Sequence, residues 1–275
     1  SMRLVSRWFW TDCCWQGWLS FIICLTLTVK VSGQINESED CTMGISVMLL
    51  AYKEEENLRV LFPKLKKAME EVGEEYELIV IDTKEPMDHT KELCEEVGAK
   101  YYNQEEPGFG GAYRKGIQVA TMDKMLALDS DGSHNPEAIP AIYKKFVEGY
   151  DVVIGSRYVK GGQTADAKSS QIMSWMLNTA YRVCLGISAK DISTNFRMYH
   201  TDQLKQINLT CVNYDVLEEI LLKIKLLVGK KNFRIGETPI SFNKRLYGES
   251  KRQLIPFIIS YIKTLFRLLG MRIRG

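Results

Sequence analysis

Histidine, clustered cysteine, net charge and long apolar runs are all scarce in this 275-residue chain, and each scarcity excludes something. The three histidines, His89, His134 and His200, are too scattered to supply a metal-ligand pattern. The seven cysteines are odd in number, and none of the four beyond residue 40 (Cys41, Cys94, Cys184, Cys211) has a CxxC partner. Neither a zinc site nor a disulfide framework is therefore indicated, and reduced thiols are the expected state. No Gly-x-Ser-x-Gly stretch or Cys/His pair marks a nucleophile. Lys and Arg total 36 against 34 Asp and Glu, a net charge of +2, so no basic face for nucleic acid is expected.

The most apolar stretch runs over residues 15–31 behind Arg3 and Arg7, and its uninterrupted core spans only about 12 residues where a bilayer span needs about 20. It resembles a signal-peptide core or a short anchor. Residues 31–33 suit a cleavage site, while Met43, directly before the first core strand, suits a natural start that makes the preceding segment an upstream extension. Residues 1–42 are thus expected to be an anchor or a non-native extension, with export as a third reading.

What the chain does have is 45% hydrophobic and 25% charged residues, enough for one sizeable domain or two closely packed halves. Residues 45–51 and 76–82 read as buried strands with a helix over 55–72 between them, the second strand ending on Asp82. A helix over 90–97, a strand over 99–102 and a helix over 111–120 follow. Residues 124–129 form a strand ending on Asp129, then come a helix over 136–147 and a strand over 151–155. Helices over 169–185 and 216–228 and a strand over 232–242 complete the second half. This alternation predicts an α/β fold with a doubly wound, mostly parallel sheet. Ligands bind beyond the carboxyl ends of such strands, which brings Asp82, Asp129, Ser130 and Asp131 to one place.

Asp129 and Asp131, separated by one residue and released from a strand into a turn before Gly132, can both reach one hard cation. Mg²⁺ or Mn²⁺ takes such oxygen ligands and keeps positions for phosphate, so the pair suits charge compensation of a departing diphosphate. Arg157 and Arg245 are candidate phosphate ligands, because a guanidinium matches phosphate oxygens in bidentate geometry. From residue 251, apolar positions from Leu254 to Leu269 recur at three- and four-residue spacing among Arg252, Lys263, Arg267, Arg272 and Arg274. Residues 251–275 are expected to form a basic amphipathic helix for a membrane surface, with packing on the chain's own domain as the other use of that face.

Seven segments in order carry a resemblance: Ala51 to Leu58; Asp82; Gly108 to Gly116; Asp129 to His134; Gly155 to Tyr158 with Gly161 and Gly162; Asp191 to Arg197; and Arg245 to Lys251. From about residue 44 to 251 the chain resembles family-2 glycosyltransferases of the GT-A fold, especially dolichol-phosphate mannose synthases and bacterial polyprenyl-phosphate glycosyltransferases. The resemblance implies a catalytic domain over 43–250, with a nucleotide-sugar half (43–135) and an acceptor half (136–250). It implies that Tyr52, Glu54, Asp82 and Arg114 line the donor pocket with Asp129, Ser130 and Asp131. Asp129 and Asp131 would hold Mg²⁺ or Mn²⁺, with Ser133 as a weak third ligand. Arg157, Arg245, Ser250 and Lys251 would receive the acceptor's phosphate, so the catalytic set is Asp129, Asp131, Arg157 and Arg245.

The activity so implied is inverting transfer of a hexose, mannose from GDP-mannose first, to dolichyl or another polyprenyl phosphate. A UDP-linked glucose, galactose or N-acetylglucosamine donor, a polysaccharide acceptor, and a nucleotide-binding pseudoenzyme are the alternatives. The expected setting is the cytoplasmic face of a membrane, peripheral or N-terminally anchored, with a membrane partner subunit as a further candidate. The pattern is not complete: Leu50, Lys53 and Thr83 stand where Pro, Asn and a second Asp are usual, and residues 84–87 replace a glycine-serine turn. Asn195 stands for a Gly, a mild change because Asn tolerates left-handed backbone. The glycines at 108, 110 and 111 fit a mobile loop beside the donor better than a dinucleotide fingerprint, whose third glycine would be Tyr113.

Overall fold

The computed structural model describes residues 41–247 and 254–274, with side chains of the last stretch from Tyr261 onward. Residues 1–40, where most of the proposed anchor lies, and Ser250 and Lys251 fall outside the described residues.

The strands are β1 (Thr42–Leu50), β2 (Tyr76–Asp82), β3 (Lys100–Asn103), β4 (Met122–Asp129), β5 (Val152–Ser156), β6 (Gln163–Thr164), β7 (Arg197–His200), β8 (Ile235–Pro239) and β9 (Ser241–Phe242), of which β1, β2, β4 and β5 are apolar runs without strict alternation. Between them lie α1 (Glu55–Val72), α2 (Thr90–Val97), α3 (Gly108–Val119), α4 (Ile139–Phe146), α5 (Lys168–Leu185), α6 (Thr201–Gln206), α7 (Val216–Leu227) and finally α8 (Leu254–Arg274). Seven strands make one sheet in the order β3-β2-β1-β4-β7-β5-β8, so both halves of the chain share it. Every pairing is parallel except those of β7, which runs antiparallel to β4 and β5. β6 and β9 pair separately.

Both faces of the sheet are covered, which is why its strands read as continuous apolar runs. Ile45, Val47, Leu49, Val80 and Leu128 pack on one side with Leu58, Leu61, Phe62 and Leu65 of α1 and Ile142 of α4. Met48, Ile79, Ile81, Met125 and Ile154 point to the other side, against α3, α5, α7 and α8. The strand order turns back between β1 and β4, and the crevice beyond their carboxyl ends is where such a sheet takes a ligand.

α1, β2 and α2 fall where the periodicity predicts them. The expected strand over 232–242 instead breaks at Ile240, letting β8 join the main sheet and β9 the small one. β7 and α6 were hidden from the pattern, since a four-residue strand carrying a buried Arg197 offers no apolar run. The glycines at 108, 110 and 111 are not a loop. They open α3, and a Cβ at Gly108 or Gly110 would strike the carbonyls of Val212 or Cys211, while one at Gly111 would strike that of Glu106. Their use is close packing, with the Gly110 N–H donating to the Val212 carbonyl at 2.8 Å.

α8 is helical as expected, and it packs on the domain. Tyr261, Thr264 and Leu268 are buried, and the Tyr181 hydroxyl donates to the Tyr261 carbonyl at 2.6 Å. Arg267 donates to Thr210, and Arg272 to the carbonyl of Val183, so these two arginines serve the fold where free headgroup contacts were expected. Ile262 and Phe266 remain exposed. No helix among the described residues is long and apolar enough to cross a membrane.

β1 leaves the sheet through Lys53, whose φ of 58° is the only positive value at a non-glycine described residue. Left-handed backbone costs a residue with a Cβ about 1–2 kcal/mol, part of which glycine's unfolded-state entropy offsets. Lys53→Gly should therefore raise the unfolding temperature by roughly 2–4 °C. An unchanged or lower midpoint in thermal denaturation contradicts the strain.

Candidate active site

The turn after β4 is built by its own side chains. Gly132 takes φ +76°, and its missing Cβ leaves room for the Leu246 side chain. The Asp131 carboxylate accepts from the Ser133 N–H at 3.0 Å and from the Ser133 hydroxyl at 2.6 Å, closing an Asx-type turn. Ser130 is buried and donates to the Leu50 carbonyl at 2.6 Å, tying the end of β4 to the end of β1. Asp129 accepts from the Asn195 amide at 3.0 Å. Its own N–H donates to Nδ1 of His134 at 3.1 Å.

That last bond settles the state of His134. A ring nitrogen that accepts an amide proton carries none, and burial lowers the imidazole's pKa further. His134 is thus neutral, its 3.7 Å approach to Asp129 is no ion pair, and its Nε2–H faces the Thr194 hydroxyl at 3.2 Å. The side chains of Asp129 and Asp131 keep 34% and 23% of their surface, so both carboxylates still reach the crevice.

A strap from Phe242 to Tyr247 lies over this turn. Asn243 N–H donates to the Ser133 carbonyl at 2.8 Å and Leu246 N–H to the Asp131 carbonyl at 3.0 Å. Tyr247 N–H reaches the Asn57 side chain at the start of α1 at 2.9 Å. Between these anchors Arg245 bridges two carboxylates, donating to Glu54 at 2.6 Å and to Asp131 at 3.4 Å. Burial raises the pKa of Glu54, with Asn57 and Arg245 pulling it back. Burial works against the Arg245 charge too, but Glu54 and Asp131 outweigh it and raise its pKa.

Glu54, Asp129, Ser130, Asp131, Ser133 and Arg245 are therefore gathered at the β1–β4 crevice, and Tyr52 stands exposed just past the end of β1. Asp82 also ends its strand there but is enclosed, one oxygen accepting from the Thr83 N–H at 2.7 Å and the other from the Tyr101 hydroxyl at 2.9 Å. Arg114 is spent on the fold, donating to the Cys211 carbonyl at 2.8 Å and pairing with Glu106. Arg157 is nearly buried and bidentate on fully buried Asp191, with both bonds at 2.8 Å. Burial alone would lower its pKa, and Asp191 overrides that and raises it. Its Nη1 lies 3.6 Å from Asp166.

Two polar residues escaped the sequence reading. Asn195 does not use left-handed backbone; its side chain works, accepting from the Tyr113 hydroxyl at 2.8 Å while donating to Asp129. Asn57 anchors the strap and donates to Glu54 at 2.5 Å. An Asn beside a motif carries no signal of its partner across the sheet. The residues fit Mg²⁺ or Mn²⁺ through the chemistry of their donor set. Two accessible carboxylates on one turn suit a hard cation completed by phosphate and water, and no group of three or more His, Cys, Asp or Glu is assembled among the described residues.

Removing one partner of a buried ion pair strands the other, at a cost of about 3–5 kcal/mol. Arg157→Ala should lower the unfolding temperature by roughly 10 °C, whatever it does to activity. A midpoint within about 2 °C of the unmodified protein's would show that the Asp191 pair contributes little.

Comparison with known proteins bears on the family and the fold. Dolichol-phosphate mannosyltransferase of Pyrococcus furiosus is 31% identical over 235 residues, 82% of this chain and 64% of that protein, so the chain spans a little under two thirds of it. Undecaprenyl-phosphate mannosyltransferase of Micrococcus luteus is 31% identical over 76% of this chain and 87% of its own. Polyprenol monophosphomannose synthase of Mycolicibacterium smegmatis is 29% identical, covering 76% and 81%. Among solved structures, glucosyl-3-phosphoglycerate synthase of Mycobacterium tuberculosis with UDP superposes at a TM-score of 0.63 and 20% identity, covering 85% of this chain and 83% of that one. The same enzyme has been solved with Mn²⁺ and UDP-glucose at the same TM-score of 0.63. That likeness shows the GT-A fold. Residues 46–207, more than half the chain, match the family model of Glycosyl transferase family 2, and to that family this chain belongs.

Proposed function

We propose that the protein transfers a hexose, with inversion, from a nucleotide-diphosphate sugar to a polyprenyl phosphate, and that mannose from GDP-mannose is its first substrate. The observation that carries this reading is the pair of accessible carboxylates, Asp129 and Asp131, at the β1–β4 crevice beneath a strap that carries Arg245. Relatives that align with three quarters or more of the chain are named for mannosyl transfer to dolichol, undecaprenyl or polyprenol phosphate.

The acceptor phosphate is already an anion at neutral pH, so its oxygen attacks the anomeric carbon without a strong general base. The chain's task is alignment. Asp129 and Asp131 would hold Mg²⁺ or Mn²⁺, which supplies charge compensation to the leaving diphosphate. Ser133 acts through Asp131, fixing that carboxylate by two hydrogen bonds. Arg245 exchanges its longer bond, to Asp131, for the acceptor phosphate while Glu54 keeps hold of it. Arg157 stays on Asp191 and turns its Nη1 edge to the acceptor side. Ile172, Trp175 and Met176 on one face of α5, with Ile262 and Phe266 of α8, are exposed apolar side chains suited to a lipid surface.

The test is a screen of labelled nucleotide sugars with short and long polyprenyl phosphates, following label into the organic phase. Mannose from GDP-mannose should pass to the lipid phosphate, and EDTA should abolish transfer. Asp131→Asn should slow it by about 10²-fold or more, the scale of losing one group that stabilises developing charge. Arg245→Ala should raise the apparent KM for the lipid phosphate about tenfold, as expected for a charge-assisted contact, and leave GDP affinity unchanged. Full activity in EDTA, or label that appears on a glycan whether or not lipid phosphate is present, overturns the reading.

A further inference from the structure

We propose that Tyr113 and Asn195 form a positioning relay that fixes the Asp129 carboxylate for its cation. The proposal rests on the metal reading of the site. It concerns two residues to which neither the family pattern nor the relatives' names give a role.

The chemistry of the three groups leaves one arrangement. A carboxylate only accepts, so Asn195 must present its NH₂ to Asp129, at 3.0 Å. The amide oxygen is then turned toward Tyr113, whose hydroxyl donates to it at 2.8 Å. Tyr113 on α3 is fully buried and Asn195 is 3% exposed, so no bulk water competes for the bond between them. Burial raises the pKa of Tyr113, which keeps the proton it must donate. The Tyr113 hydroxyl thus decides which end of the amide faces the crevice, and the amide decides which Asp129 oxygen stays free of it.

The neighbouring residue completes the device. Thr194 meets His134 Nε2 at 3.2 Å, and the His134 Nδ1 so left unprotonated accepts the Asp129 N–H at 3.1 Å. Thr194 and Asn195, adjacent in the chain just before β7, therefore hold the backbone and the side chain of Asp129 respectively. The antiparallel pairing of β7 with β4 brings them there. Asp131 has a different support, the Ser133 turn, so the relay belongs to Asp129 alone.

The test is Mn²⁺ affinity of the full chain with GDP bound, read by electron paramagnetic resonance and independent of sugar transfer. Asn195→Ala should weaken Mn²⁺ binding about tenfold, the scale of one hydrogen bond to a charged group, and Tyr113→Phe about threefold, the scale of a neutral one. The double variant should be no weaker than Asn195→Ala, because Tyr113 acts only through the amide. GDP affinity without metal should not move. A purely structural role predicts unchanged Mn²⁺ affinity in Tyr113→Phe, or a Tyr113→Phe effect that persists in the Asn195→Ala background, and either result overturns the relay. Tyr113→Phe loses only a hydroxyl, so it keeps the test decisive if Asn195→Ala folds poorly. No Mn²⁺ binding by the unmodified protein with GDP would overturn the metal reading and the relay together, whereas normal binding with unaltered variants overturns the relay alone.

Discussion

The guanidinium of Arg245, held between Glu54 and Asp131, is the interaction on which the crevice depends. Glu54 follows β1, Asp131 follows β4, and Arg245 rides on the strap that begins as β9. One side chain therefore joins the two strand ends that define the switch point to the segment that covers them. Without it, Glu54 and Asp131 would repel across a poorly solvated gap, since like charges brought together in a low dielectric disfavour each other's ionisation. The strap's backbone bonds to Ser133 and Asp131 make Arg245 part of the turn's own framework.

Around that bridge the fold spends its buried polar groups on holding other polar groups still. Asp191 holds Arg157, Ser133 holds Asp131, and Asn195 holds Asp129. Glu219 does the same farther away: burial would raise its pKa, but Lys223 and donors from Thr210 and Cys211 bring it down to about 2. The loop it anchors is the one that meets the glycines opening α3. A site that must present several carboxylates without collapse needs such rigid neighbours, because a misplaced charge costs more than a missing one.

Much of this was legible in the sequence, and the boundary has physical causes. β1, β2 and β4 are buried on both faces, so their apolar runs declare them, and the acids that end β2 and β4 announce the crevice. The carboxylate pair is visible from its place at a strand end, and Arg245 from the family resemblance of the segment that carries it. What stayed hidden depends on partners distant in sequence. Asn195 and Tyr113 are 82 positions apart and meet only when β7 inserts antiparallel beside β4. The hold of Asp191 on two donors of Arg157, from 34 positions away, is likewise invisible in the sequence. The arginines of α8 read as headgroup contacts because periodicity reports an apolar face and is silent about what covers it. Here that cover is partly α5 and the buried Tyr181.

In the proposed reaction two strand-end carboxylates share one cation with a diphosphate, and Arg245 gives up its bond to Asp131 only to the acceptor phosphate. Anomalous diffraction from crystals grown with GDP and Mn²⁺ measures this directly. A Mn²⁺ peak within bonding distance of carboxylate oxygens of both Asp129 and Asp131 is the result expected. A peak elsewhere on the protein, or GDP bound with no metal between the carboxylates, contradicts it.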